Sequence, residues 1–266
     1  MKITSLIFVI AVSITLTTLG IGASDMLTGT SGSLLGQLLG STPDVCPSDM
    51  VQVAAALSFT CVDTYEVSAA TDCLYPNPSS HVETVANLEQ STCQAVSVMG
   101  VSPWRFVTRD EAATACVRRG KRLPTATEWY AFTLGTPPSS CNLTTNLLYP
   151  AGKNMNCTSP GGVIDAVGNV WEWVSDDIID GVYNEHTIPQ SGYVIQVDNG
   201  GVATETNIVQ ANIQFGNDYF WSEQSGAYGM IRGGFYGSQG EGGVYAVQGT
   251  IKPTFSGAAI GFRCIK

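Results

Sequence analysis

Hydrophobic positions follow two different periods along this chain, and the changes of period mark its elements. From Val51 to Val67 the run VQVAAALSFTCVDTYEV is apolar and β-branched with partial alternation, which predicts strands. Between Ser68 and Gly100 the residues Pro76 and Pro78, with several Ser and Asn, interrupt any long period, and a loop-like segment is expected. Helical spacing then appears. Thr108-Arg-Asp-Glu111 is a capping box, Ala112, Ala115 and Cys116 repeat at helical intervals, and Gly120 is placed to end the helix. Thr125-Ala-Thr-Glu128 repeats the signal and opens a second short helix through Trp129, Phe132 and Leu134. After Gly135 the pattern turns polar, and from Gly192 to Tyr219 short apolar patches broken by Asn and Gly read as strands or as a surface insertion. The tail from Met230 to Cys264 reads as a strand, a long glycine-rich loop and a closing strand. Two helices in quick succession, with few others, short strands and long loops, predict an α+β class.

The first residues stand apart from this pattern. Lys2 precedes an apolar run from Leu6 to Leu19, and small residues follow at Gly20, Gly22, Ala23 and Ser24. Residues 1–23 therefore read as a secretory signal, with an uncleaved membrane anchor as the alternative. Residues 24–45, rich in Ser, Thr, Gly and Leu, read as a flexible linker, which leaves 46–266 as one domain. After signal cleavage no membrane span is expected, and the localisation is secreted, extracellular or periplasmic. The formal net charge of −10 and the absence of a basic run argue against nucleic acid, because nothing would neutralise phosphates.

Eight cysteines, at 46, 61, 73, 93, 116, 141, 157 and 264, form no CxxC pair. An even number behind a signal peptide points to disulfides in an oxidising compartment. Spacing leaves roughly a hundred connectivities open. Neighbour pairing would join Cys46 with Cys61, Cys73 with Cys93 and Cys141 with Cys157, leaving Cys116 and Cys264 over. Asn142-Leu-Thr144 and Asn156-Cys-Thr158 are glycosylation sequons or ordinary loop residues.

The stretch Asp165-Ala-Val-Gly-Asn-Val-Trp-Glu-Trp173 combines two indoles, two carboxylates and a glycine. Glycine permits a bend where a side chain would clash, and the tryptophans are large enough to anchor a core. Asp165 and Glu172 then need partners. Two carboxylates flanking a turn with inward carbonyls would suit Ca²⁺, which takes about 6 to 8 oxygen ligands. A tryptophan-filled core loop with both acids solvated is the competing reading.

Three segments, in order, carry a family resemblance: Gly120-Lys-Arg-Leu-Pro-Thr-Ala-Thr-Glu-Trp129, Gly168-Asn-Val-Trp-Glu-Trp173, and Arg232-Gly-Gly-Phe-Tyr236 followed by Gly261-Phe-Arg-Cys264. Together they resemble the formylglycine-generating enzyme, or sulfatase-modifying factor, family, whose fold is a variant of the C-type lectin fold. Phe59 to Val67, with Asp63, Tyr65 and Glu66, is similar to that family's opening strand. The resemblance implies a Cys116–Cys264 disulfide. It also implies a structural calcium held by the side chains of Asp165 and Glu172 and the carbonyls of Gly168 and Val170.

The departures shape the functional expectation. In the family's oxidases two cysteines follow the Arg-Gly-Gly motif and act with copper on a substrate cysteine. Here those places fall at about Ser238 and Gly243, and no cysteine lies between Cys157 and Cys264. Neither residue supplies a thiolate for copper or a mixed disulfide. Iron-dependent relatives use several histidines, whereas this chain has His81 and His186 alone, so no copper or iron site is expected. Asp176 and Asp177 are adjacent, so they are not expected to face one site and read as a solvated pair. The expected function is a secreted, calcium-braced binding or structural module without oxidase activity. Trp171, Phe235, Tyr236 and Ser238 are candidates for its ligand groove, and the ligand is an unidentified protein, peptide or glycan. The display scaffolds of diversity-generating retroelements, which share this fold, are a weaker version of that reading. The alternative is a sulfatase-modifying-factor-type enzyme, formylglycine-generating or another metal-dependent oxidoreductase, with an altered active site.

Overall fold

The computed structural model describes residues 46–53 and 58–266. The expected signal and linker, residues 1–45, lie outside the described residues. No described helix is long and apolar enough to cross a membrane.

Three α-helices form among the described residues: α1 (His81–Glu89), α2 (Arg109–Val117) and α3 (Ala126–Thr133). Both predicted capping boxes close. The Thr108 hydroxyl accepts from the Glu111 N–H while the Glu111 carboxylate accepts from the Thr108 N–H, and Thr125 with Glu128 repeats the exchange. Helix α1 corrects the loop expected between Ser68 and Gly100. Pro76 and Pro78 precede its N-cap, where the Ser80 hydroxyl accepts from the Glu83 N–H, so the prolines break the chain before the helix and not within it.

The strands fall into three sheets. Strands β1 (Met50–Gln52) and β2 (Cys61–Asp63) pair antiparallel, as do β3 (Val67–Ala69) and β4 (Ala95–Ser97). The main sheet holds β5 (Trp171–Ile179), β6 (Val182–Tyr183), β7 (His186–Thr187), β8 (Gly192–Val197), β9 (Ala203–Asn207), β10 (Tyr219–Ser222), β11 (Ala227–Arg232), β12 (Val247–Ile251) and β13 (Ile260–Gly261). Their order is β7-β6-β5-β11-β12-β10-β8-β9, with β13 pairing parallel to the start of β5. The segment from Gly192 to Tyr219 thus supplies sheet strands. The tail contains β12 within what the sequence presents as loop. Gly249 at its centre conceals it, and a Cβ there would collide with Ile178 of β5.

Packing follows the alternation of β5. Trp171 and Trp173 share one hydrophobic cluster with Trp104, Ile231 and Phe262, whereas Val174 and Ile178 join another with Trp129 and Phe220. Fully burying each such side chain stabilises by about 2–3 kcal/mol. Buried indoles also find acceptors: Trp173 Nε1 donates to the Val107 carbonyl at 3.0 Å, and Trp104 Nε1 to Thr84 Oγ1 at 3.1 Å. Four disulfides staple the domain, Cys46–Cys61, Cys73–Cys93, Cys116–Cys264 and Cys141–Cys157, so no cysteine is free. Cys116–Cys264 ties α2 to the end of the chain across 148 positions.

Candidate functional site

The turn before β5 is built by backbone that few residues adopt. Asp165, Gly168 and Asn169 have φ of 55°, 77° and 54°, the left-handed region. A Cβ on Gly168 would lie 2.6 Å from the Asn142 carbonyl oxygen, so glycine is required there. That carbonyl accepts from the Asn169 N–H at 2.8 Å, and Asn142 Nδ2 donates to Asn169 Oδ1 at 3.0 Å. Asn142 is consequently 1% exposed and closed to glycosylation in the fold, whereas Asn156 of the other sequon is exposed.

Both acids of this stretch are buried, against the solvated alternative. Glu172 accepts from Arg263 Nε at 2.8 Å and from Trp129 Nε1 at 2.7 Å. Asp165 Oδ2 accepts from the Gly152 N–H at 2.7 Å. A third carboxylate, Glu66, was not singled out as a site residue by the sequence. It accepts from Asn169 Nδ2 at 2.7 Å and from the Val170 N–H at 3.2 Å. Burial, then the nearby Asp165 and Glu172, pushes the Glu66 carboxyl well above the usual range. Burial likewise raises Glu172, against the pull of Arg263, and lifts Asp165 to about 6.

Charge bears on whether a cation fits here. Three carboxylates against one guanidinium, −3 and +1, leave −2 when all are ionised. Neighbouring Asp63 is matched separately by Lys121 at 2.6 Å. No three acidic, histidine or cysteine side chains converge closely enough among the described residues to hold an ion by themselves. The carbonyls of Gly168 and Val170, however, accept no hydrogen bond from the described residues. Hard oxygen donors with surplus negative charge are what calcium takes, and Asp165 and the two carbonyls are donors of that kind, while both oxygens of Glu172 are engaged by Arg263 and Trp129.

On the other side of β5 lies a cleft of about 620 Å³. Trp171, Phe235 and Ser238 of the predicted groove line it, while Tyr236 packs against Phe235 at 5.2 Å between ring centroids. Sequence reasoning missed Tyr193, Trp221, Glu241 and Gln248, which also line it. The signal was available at Tyr219-Phe-Trp221, where period two puts both outer rings on one face and buries Phe220 on the other. Trp171 and Trp221 meet edge to face at 5.8 Å, Trp221 and Tyr219 at 4.7 Å, and Tyr219 and Tyr193 at 5.1 Å.

The loop after Arg232-Gly-Gly is held without sulfur. Ser238 Oγ accepts from the Phe235 N–H at 2.9 Å. A Cβ on Gly243 would collide with the Asp218 carboxylate, which accepts from the Tyr245 N–H at 2.7 Å. A cysteine at Gly243 could not be seated without displacing Asp218.

Residues 140–266 match the family model of the sulfatase-modifying factor enzyme 1-like domain. The matched part contains the acid cluster's Asp165 and Glu172, every lining residue of the cleft and the closing Gly-Phe-Arg-Cys segment. The three helices and the many-stranded sheet described above agree with the expected α+β class. Among solved structures, the Major Tropism Determinant I1 variant is 18% identical over 83% of this chain and 53% of its own, with a TM-score of 0.46. The M1 variant is 18% identical over 83% of this chain and 52% of its own, with a TM-score of 0.45. The chain spans about half the length of these structures. No curated protein matches the chain.

Asp176 and Asp177 face apart, and the expectation that adjacent acids form a solvated pair is corrected for Asp176, which is partly buried and hydrogen-bonded. Asp176 accepts from the Ala126 N–H at the start of α3, and Asp177 pairs with Arg109. His186 is exposed on β7, and His81 pairs with Glu111 at 2.8 Å.

Proposed function

We propose that this protein is a secreted, disulfide-bonded, calcium-braced binding module that uses the sulfatase-modifying-factor fold without thiol oxidation. The observation that carries this reading is the aromatic cleft beside a loop with no thiol: all eight cysteines are consumed in four disulfides, and Ser238 lines the cleft, nearly buried. Without a thiolate the loop has neither a soft ligand for copper nor a nucleophile for a mixed disulfide. What remains is a concave, partly aromatic surface with a few polar groups, the composition of a ligand site.

In this reading calcium contributes rigidity. Held by the side chains of Asp165 and Glu172 and the carbonyls of Gly168 and Val170, it would offset the surplus negative charge and fix the turn that places Trp171 in the cleft. The disulfide framework supports residence in an oxidising compartment.

The competing reading, an enzyme of the family with altered chemistry, draws its support from the family match. A glycan and peptide array probed with wild type and with Trp221→Ala tests the binding reading. Ligand capture lost in Trp221→Ala is expected. Copper or iron retained through purification, together with oxygen consumption, would favour the enzyme instead.

A further inference from the structure

We infer that the aromatic cleft takes a small quaternary ammonium compound, with the trimethylammonium group set against the rings and beside Glu241. This rests on the binding-module reading and names the chemistry of its ligand.

Four aromatic side chains, Trp171, Tyr193, Trp221 and Phe235, line the cleft together with one carboxylate, that of Glu241, and no lysine, arginine or histidine. The rings do not lie in one plane. Trp171 and Trp221 are inclined at 87°, and Tyr193 is inclined at 80° to Tyr219, which in turn packs on Trp221. The lining rings therefore offer faces in more than one orientation, which suits a compact cation, whereas a sugar ring is better served by one flat platform. Aromatic faces carry negative quadrupole charge and attract a cation most strongly when the cation is poorly hydrated.

The identity of the cation follows from the hydrogen-bond inventory. A primary ammonium has three donors and loses strongly held water when buried, so it needs several acceptors close together. Among the lining residues the one carboxylate is Glu241, and its Oε1 already lies 3.5 Å from the Tyr193 hydroxyl. A trimethylammonium group has no N–H donors and asks for apolar contact plus a counter-charge, which rings and one carboxylate provide. The cleft, at about 620 Å³, is larger than that group, and Asn217, Gln239 and Gln248 remain for the polar part of the ligand. Asn217 and Gln239 are both held in the left-handed region, φ 64° and 59°. Such backbone conformations cluster at ligand sites. The chain's net charge of −10 favours the approach of a cation from a distance.

The test is calorimetric titration of the disulfide-bonded protein with choline and with 3,3-dimethyl-1-butanol, its neutral isostere in which carbon replaces nitrogen. Choline is expected to bind, with the isostere about tenfold weaker or worse. Glu241→Gln, which leaves the ring packing intact, should weaken choline several-fold, and Trp221→Ala, which also loses packing on Trp171 and Tyr219, should abolish binding at a temperature where the variant is still folded. Equal affinity for choline and the isostere overturns the inference, because burial of apolar surface would then account for binding. Binding to phosphatidylcholine vesicles without binding to free choline also overturns it. If choline fails but an arrayed glycan or peptide binds in a Trp221-dependent way, the cation inference falls and the binding-module reading stands. If neither binds, both fall.

Discussion

Glu172 and Arg263, 91 positions apart, meet at 2.8 Å with both side chains fully buried. Arg263 also donates to the carbonyls of Asp63 and Ile164, so one guanidinium joins β5, the opening strands and the end of the chain.

Arg263→Met should therefore lower stability by about 3–5 kcal/mol, because Glu172 would remain buried and unpaired. Urea unfolding monitored by tryptophan fluorescence measures this. A loss below about 1 kcal/mol would mean that the pair is not the clasp described.

Calcium is expected to raise the melting temperature, and chelation to lower it, at matched ionic strength. Asp165→Ala should remove the difference, since Asp165 is the acid of the set without a protein cation against it. Equal melting temperatures for wild type with and without calcium would count against the site.

Much of this architecture was legible in the chain, and the misses have local causes. Thr108 and Thr125 announced their helices because capping is written in neighbouring residues. Helix α1 went unread because the prolines beside it dominated the local signal, although Ser80 and Glu83 carry the start pattern. The groove was half legible: Trp171, Phe235 and Ser238 lie near recognisable motifs, while Tyr193 and Trp221 reach the cleft through the pairing of β8 with β10, a long-range relationship. Glu66 joined the acid cluster from more than a hundred positions away, and no local pattern encodes that.

Asp218 sets the sign of a pH dependence. Burial lifts its carboxyl to about 7, opposed by the Tyr245 N–H and by Arg232, while the unfolded chain holds it near an ordinary carboxylate value. The folded state therefore binds the proton more tightly than the unfolded state. Its contribution to stability is complete below the unfolded pKa and is lost as pH rises through about 7. Asp218's share of the unfolding free energy should fall by on the order of 4 kcal/mol between about pH 4 and pH 8. Asp218→Asn should remove Asp218's share of the slope and leave the shares of the other carboxyls that burial raises, Glu66, Glu172, Asp63 and Asp176. A slope unchanged in the variant would assign the proton to another group.

The proposed binding cleft has no free thiol among the eight cysteines with which to oxidise a substrate cysteine. A sulfatase-type cysteine peptide is incubated with the protein, Cu(I) and oxygen, and the peptide is read by mass spectrometry against a no-protein control. With serine and glycine at about the places, Ser238 and Gly243, where a thiol pair would be needed and all eight cysteines in disulfides, the peptide should be identical to the control. A formylglycine aldehyde present with protein and absent from the control would contradict it.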